Sequence, residues 1–174
     1  MDANAKELSY EEAPSRSILP REWIFQKILH CVEGGKAKAA GVLIVGSPGS
    51  GKTTTLEEIA HPSDSESRQA ELHRRLVMRY HCDAQELRTL SVVNFILELV
   101  RQLSECPLLP GYRARIDNAE VSALLQPSEI ERFPDDAFKK AILFPLVEIE
   151  PPEINCVLLV DGMDERGPGV EVSM

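Results

Sequence analysis

The chain has no apolar run long enough to cross a bilayer. Its apolar runs, such as residues 41–45 and 156–160, fall far short of a membrane-spanning helix. The first twelve residues hold no basic stretch followed by an apolar one, which excludes a secretory signal from the reading. Basic charge is also scarce. Lys and Arg number 19 against 28 Asp and Glu, a formal net charge of −9 and a pI near 5.0. That balance gives no field for a nucleic-acid backbone, so no nucleic acid is expected as a partner. The one basic cluster, His73, Arg74 and Arg75 with Arg79, is short and reads as a solvated flank. Cysteines are few and scattered: Cys31, Cys82, Cys106 and Cys156. None has zinc-ligand spacing, and His81 and Cys82, being adjacent, would point to opposite faces of a strand. They read as reduced, mostly buried thiols of an intracellular, cytoplasmic protein.

What is present is more specific. With 174 residues and ordinary apolar content, the chain suits one domain with its own core. Residues 1–17 read as a polar lead-in, 18–166 as the domain and 167–174 as a tail. Within the domain, Gly46, Ser47, Pro48, Gly49, Ser50, Gly51, Lys52 and Thr53 follow the apolar stretch Val42, Leu43, Ile44 and Val45. The spacing G-x-x-x-x-G-K-[ST], the Walker A pattern, places a phosphate group on backbone N–H donors. The glycines let the backbone approach phosphate oxygens closely. Lys52 supplies charge to the β- and γ-phosphates, the Thr53 hydroxyl is placed for Mg²⁺, and Thr54 lies in the same first turn. The helix opening here turns its free N–H groups and positive dipole end toward the anion. Residues 42–45 are expected to form a strand buried on both faces, and residues 53–60 a short helix with Leu56 and Ile59 inward, stopped by His61 and Pro62.

Around these lie further elements. Residues 20–32 show a helical stripe of Ile24, Ile28 and Val32 flanked by Phe25 and Leu29, with Pro20 suited to the first helical position and Gly34 to the stop. A second strand is expected over 76–82, and a helix over 91–103 with Val93, Leu97, Val100 and Leu103 inward, capped by Ser91 or Thr89. Shorter helices are expected over 119–125 and 135–146. Cys156, Val157, Leu158, Leu159 and Val160 read as a third buried strand. Alternating strands and helices indicate an α/β layer fold with a parallel sheet.

Asp161 ends that last strand and begins Asp161, Gly162, Met163, Asp164 and Glu165. A phosphate loop needs a carboxylate at the end of another strand, because ligands sit at the carboxyl edge of such sheets. Asp161 is thus the candidate Walker B residue, on the Mg²⁺ side. Asp164 and Glu165 are the candidates for polarising the attacking water.

This arrangement resembles the signal-transduction NTPases with numerous domains, the STAND class that includes NACHT modules, in which an Asp-Glu pair follows the strand-end Asp after a small residue. With the segments 21–25, 79–84 and 138–146, it is similar to the NTPase region of TANC-type ankyrin/tetratricopeptide-repeat scaffold proteins, over roughly residues 18–166. The resemblance implies a three-layer P-loop NTPase fold. It also implies ATP with Mg²⁺ held by the residues just named, and a switch whose nucleotide state decides which protein partners engage. Trp23 and its neighbours correspond to a segment near the base, though helix packing explains that ring equally well. In that family further strands follow the acidic motif, one of them between the loop strand and the acidic strand. The sheet here is therefore expected to be incomplete and hydrolysis weak or absent. Two other functions stay open: a P-loop enzyme proper, such as a nucleotide kinase or an active ATPase, and an interaction module without turnover. A kinase would show an arginine-rich lid, whereas the arginines here are dispersed. No Asn/Thr-Lys-x-Asp guanine motif occurs, which tilts the base toward adenine.

Overall fold

The computed structural model describes residues 21–34 and 41–163. Among the described residues nine α-helices and one strand, with a 3-10 turn at Leu87–Leu90 and a π-turn at Lys139–Leu143, precede the last strand: α1 (Glu22–Val32), α2 (Lys52–Ala60), α3 (Arg68–Arg74), β1 (Leu76–His81), α4 (Val92–Glu105), α5 (Tyr112–Ile116), α6 (Ala119–Leu124), α7 (Pro127–Arg132), α8 (Pro134–Phe138) and α9 (Phe144–Glu148). The last is β2 (Val157–Asp161). The result is a mixed α/β arrangement, mostly helical, with a small parallel sheet. β1 and β2 pair directly, with Arg79 opposite Leu159, Tyr80 opposite Val160 and His81 opposite Asp161. Parallel neighbours need a long crossover, and the helices α4 to α9 supply it.

The core lies in two clusters. Phe25, Ile28 and Leu29 of α1 meet Ile59, Leu72 and Leu159 in one. The other gathers Val77, Met78 and Tyr80 of β1 against Val93, Ile96, Leu99, Val100 and Leu103 of α4, with Tyr112, Ile130, Ala141 and Ile142 behind them. The expected α1 stripe is therefore present, with Phe25, Ile28 and Leu29 at its centre and Ile24 and Val32 at its margins. On α4 the buried stripe includes Ile96 and Leu99, while Leu97 is only partly covered. Ser91 occupies the N-cap position without a side-chain bond, while the Thr89 hydroxyl donates to the Asp83 and Glu86 carbonyls instead. Pro20 lies outside the described residues.

Two expectations need correction, on residues 42–45 and on the cysteines, and one helix carries an irregularity. Residues 42–45 form no strand: among the described residues no backbone hydrogen bond reaches them, and Leu43 and Val45 are 84% and 81% exposed. A strand exists only with a ladder partner, and the neighbours β1 and β2 pair with each other. The helix expected over 135–146 is present and runs over 134–148, with one irregular turn inside it. Pro145 has no N–H to return to the carbonyl of Ala141, and the chain widens into a π-turn across 139–143, where the Phe144 N–H reaches the Lys139 carbonyl. The buried Tyr112 hydroxyl donates to that Ala141 carbonyl at 2.7 Å. Of the four cysteines only Cys82 is buried, the others being half-buried; none is in a disulfide.

The basic cluster is absorbed by the fold. Arg75 pairs with Glu33 at 3.1 Å and Glu71 at 2.9 Å, and Arg79 pairs with Glu57. The outer edge of β1 is closed by one side chain of α4. The Arg79 N–H donates to Gln102 Oε1 at 2.9 Å, and Gln102 Nε2 donates back to the Arg79 carbonyl at 2.9 Å. This carboxamide replaces one rung of a missing strand. Replacing Gln102 with Ala leaves both backbone groups unpaired and is expected to cost about 1–3 kcal/mol in chemical denaturation. A loss within about 0.3 kcal/mol of zero would show that water serves that edge equally well.

Candidate functional site

The loop before α2 follows from its glycines. Gly49 and Gly51 stand at φ 78° and 83°, a left-handed region that other residues rarely adopt. Between them and Gly46 the chain closes a tight turn, the Ser50 N–H donating to the Ser47 carbonyl at 3.1 Å. A Cβ on Gly46 would lie 2.5 Å from Ser50 Oγ, so the turn is too close for a side chain there unless Ser50 moves. Gly51 is the N-cap of α2 and has no side chain to cap it, and the first turn carries no acidic residue. The first N–H groups of α2 are thus open to an outside acceptor. Lys52 folds back over the loop, Nζ donating to the carbonyls of Gly46 at 2.7 Å and Ser47 at 3.4 Å. Thr53 and Thr54 are exposed at the start of the helix, whereas Thr55 is buried and its hydroxyl donates to the Gly51 carbonyl at 3.0 Å.

The second half stands at the carboxyl ends of the two strands. The Asp161 side chain is 15% exposed. Its Oδ1 accepts the Gly162 N–H at 2.9 Å, and its Oδ2 lies 3.3 Å from His81 Nδ1 on the neighbouring strand. The Asp161 carbonyl accepts the Cys82 N–H at 2.9 Å. Gly162 then turns at φ 69°, with the Cys82 carbonyl oxygen 2.1 Å from where a Cβ would lie.

The two halves face one cavity of about 450 Å³. Residues 41–46 and Lys52 line one side of it, and residues 158–163, including Asp161, the other. It adjoins an apolar space of about 650 Å³ between α1, α2 and β2. Gly46, Lys52 and Asp161 are therefore brought together. Thr53 is not among the residues lining the cavity, and Asp164 and Glu165 lie outside the described residues. Two neighbours were not singled out from the sequence. His81 could have been found from its place at the end of β1. Arg21, whose guanidinium donates to the Gly51 carbonyl at 2.9 Å, has no local signature.

The donor set decides what this site suits. A triphosphate fits the uncapped N–H groups and the Lys52 ammonium. A resident cation fits poorly, since among the described residues no three His, Cys, Asp or Glu side chains converge. One carboxylate with waters and phosphate oxygens is the ligand set Mg²⁺ accepts when it arrives with a nucleotide.

Mixed α/β, with a parallel sheet pair and a glycine turn opening a helix beside a strand-end aspartate, is the class that fold and site define. Within it, a family model described as "Nephrocystin 3, N-terminal" matches residues 21–171, and the chain belongs to that family. No curated protein and no solved structure matches it. No helix among the described residues is long and apolar enough to cross a membrane.

Proposed function

We propose that this chain is an ATP-binding module of the P-loop NTPase kind, with the three-layer fold and STAND-like, NACHT-like switch behaviour its motifs resemble. The observation that carries this is the shared cavity: Gly46 and Lys52, the first residue of a helix with no side-chain cap, on one wall, and Asp161 on the other. In this reading the backbone N–H groups from Gly49 to Thr53 hold phosphate oxygens. Lys52 leaves the Gly46 carbonyl to meet the β- and γ-phosphates, and Thr53 and Asp161 turn toward Mg²⁺. The bound metal and phosphates would supply the charge that fixes the two walls against each other. Weak or absent turnover belongs to the same reading, as the family resemblance implies. A regulatory role in an intracellular, cytoplasmic signalling scaffold, with protein partners reading the nucleotide state, agrees with these features.

The test is calorimetric titration of the chain with MgATP beside a Lys52→Ala variant. Micromolar binding that weakens about a hundredfold in the variant is expected, because a charge-assisted contact to phosphate is lost. Equal affinity for the two chains, or none for the wild type, would remove the nucleotide from the site.

A further inference from the structure

One carbonyl in the loop is unusually well held. The Gly51 oxygen accepts from the Thr55 N–H at 3.0 Å, the Thr55 hydroxyl at 3.0 Å and Arg21 Nη1 at 2.9 Å. The guanidinium lies flat against the glycine: a Cβ at position 51 would stand 2.1 Å from Arg21 Nη2 and 2.4 Å from Nη1. Glycine here therefore serves two ends. It tolerates the left-handed turn, and it leaves room for a cation against the last bend of the loop.

The Gly51 carbonyl and the Lys52 N–H belong to one peptide unit. A cationic donor on the oxygen polarises the amide and makes the N–H on its other side a stronger donor. That N–H is one of the open groups at the start of α2. Arg21 is also the N-cap residue of α1, its carbonyl accepting the Ile24 N–H at 2.8 Å. Arg21 thus links the loop to the first turn of α1. Trp23 sits in that turn, the only tryptophan of the chain, 59% exposed with Lys27 Nζ 5.1 Å from its ring centre.

We propose that Arg21 is a positioning residue that strengthens the phosphate-facing amide of Lys52 and ties occupancy of the loop to the setting of α1. The proposal rests on the nucleotide reading above and adds to it a route by which occupancy is reported outside the site. A guanidinium that merely fastened α1 to α2 would affect melting temperature, but neither affinity nor any nucleotide-dependent signal from Trp23.

The experiment titrates the full chain and its Arg21→Gln and Arg21→Lys variants with MgATP. Calorimetry and Trp23 emission are read together, and circular dichroism checks the fold. Arg21→Gln is expected to bind about tenfold more weakly, the ratio of one charge-assisted hydrogen bond, and to lose the emission change. Arg21→Lys, which keeps a cation but not the fork, recovers affinity to within about threefold. A wild type that binds beside an Arg21→Gln chain with equal affinity and an equal emission change overturns this proposal and leaves the nucleotide reading standing. A folded wild type that does not bind MgATP overturns both. Should Arg21→Gln fail to fold, the wild type decides alone: calorimetric binding with no change at Trp23 overturns the coupling.

Discussion

Replacing Gly162 with Ala is expected to destabilise the chain by about 3 kcal/mol or more, a large share of the stability of a domain this size. Two costs combine at this position. The residue stands at φ 69°, and its Cβ would fall 2.1 Å from the backbone oxygen of Cys82, which cannot swing away as a side chain could. Relief requires the end of β2 to separate from the chain after β1. That breaks the Cys82 N–H bond to the Asp161 carbonyl and draws Asp161 away from His81. Gly111 supplies the control. It stands at φ 92°, but its nearest neighbour is Ile149 Cγ2 at 3.7 Å, ordinary contact distance. Gly111→Ala therefore carries only the backbone term, about 1–2 kcal/mol. Denaturant midpoints of the two variants separate strain from collision. Equal losses would mean that the close approach to Cys82 is no constraint on the strand end.

The position of Gly162 was legible as the residue after a strand-end Asp; the reason it must be glycine was not, because Cys82 is distant in sequence. The same division runs through the molecule. α1, α2 and α4 could be read from stripes of period 3.6 bounded by proline and glycine, which are properties of consecutive residues. The stretch 42–45 has the composition of a strand, but strandedness depends on a partner, and no consecutive pattern states whether one is adjacent. α3 begins with a Ser67 cap, its hydroxyl accepting the Ala70 N–H at 3.2 Å, and α7 begins with Pro127 at its first position. Both carried ordinary start signals, in segments to which the sequence reading gave no element.

At the candidate site the difference is sharper. The glycine-rich loop before α2 is eight consecutive residues whose types follow a recognisable spacing, and Asp161 is marked by the strand before it. Of these, Gly46, Lys52 and Asp161 line one cavity. His81 and Arg21 enter through tertiary contacts, one across the sheet and one across 30 positions of chain. Spacing along the sequence is silent about both. The exposure of Leu43, Val45 and Leu158, at 84%, 81% and 52%, has the same origin. Apolar residues there satisfy a pattern that calls for a sheet neighbour, and the walls of the cavity stand open between them.

Tyr112 is where the larger core cluster meets the π-turn of the helix over 134–148, and it should carry the second large effect. Its ring is fully buried and its hydroxyl donates to the Ala141 carbonyl across the π-turn that Pro145 enforces. Tyr112→Ala should cost about 3–5 kcal/mol through lost packing, and Tyr112→Phe about 1–3 kcal/mol through the unpaired carbonyl alone. Pro145→Ala restores an N–H where an α-helix would direct one at Ala141. In that background the Tyr112→Phe loss should shrink, and a double-mutant cycle should show coupling of about 1 kcal/mol. A coupling near zero would mean that the hydroxyl and the proline act independently. Burial also pushes the Tyr112 phenol well above its ordinary range. The folded chain then keeps a proton that the unfolded chain releases above about pH 10, so this group's contribution is complete below that pH and declines as pH rises through it. Tyr112→Phe removes that titration, and its stability should fall less steeply than the wild type's between neutral and strongly alkaline pH.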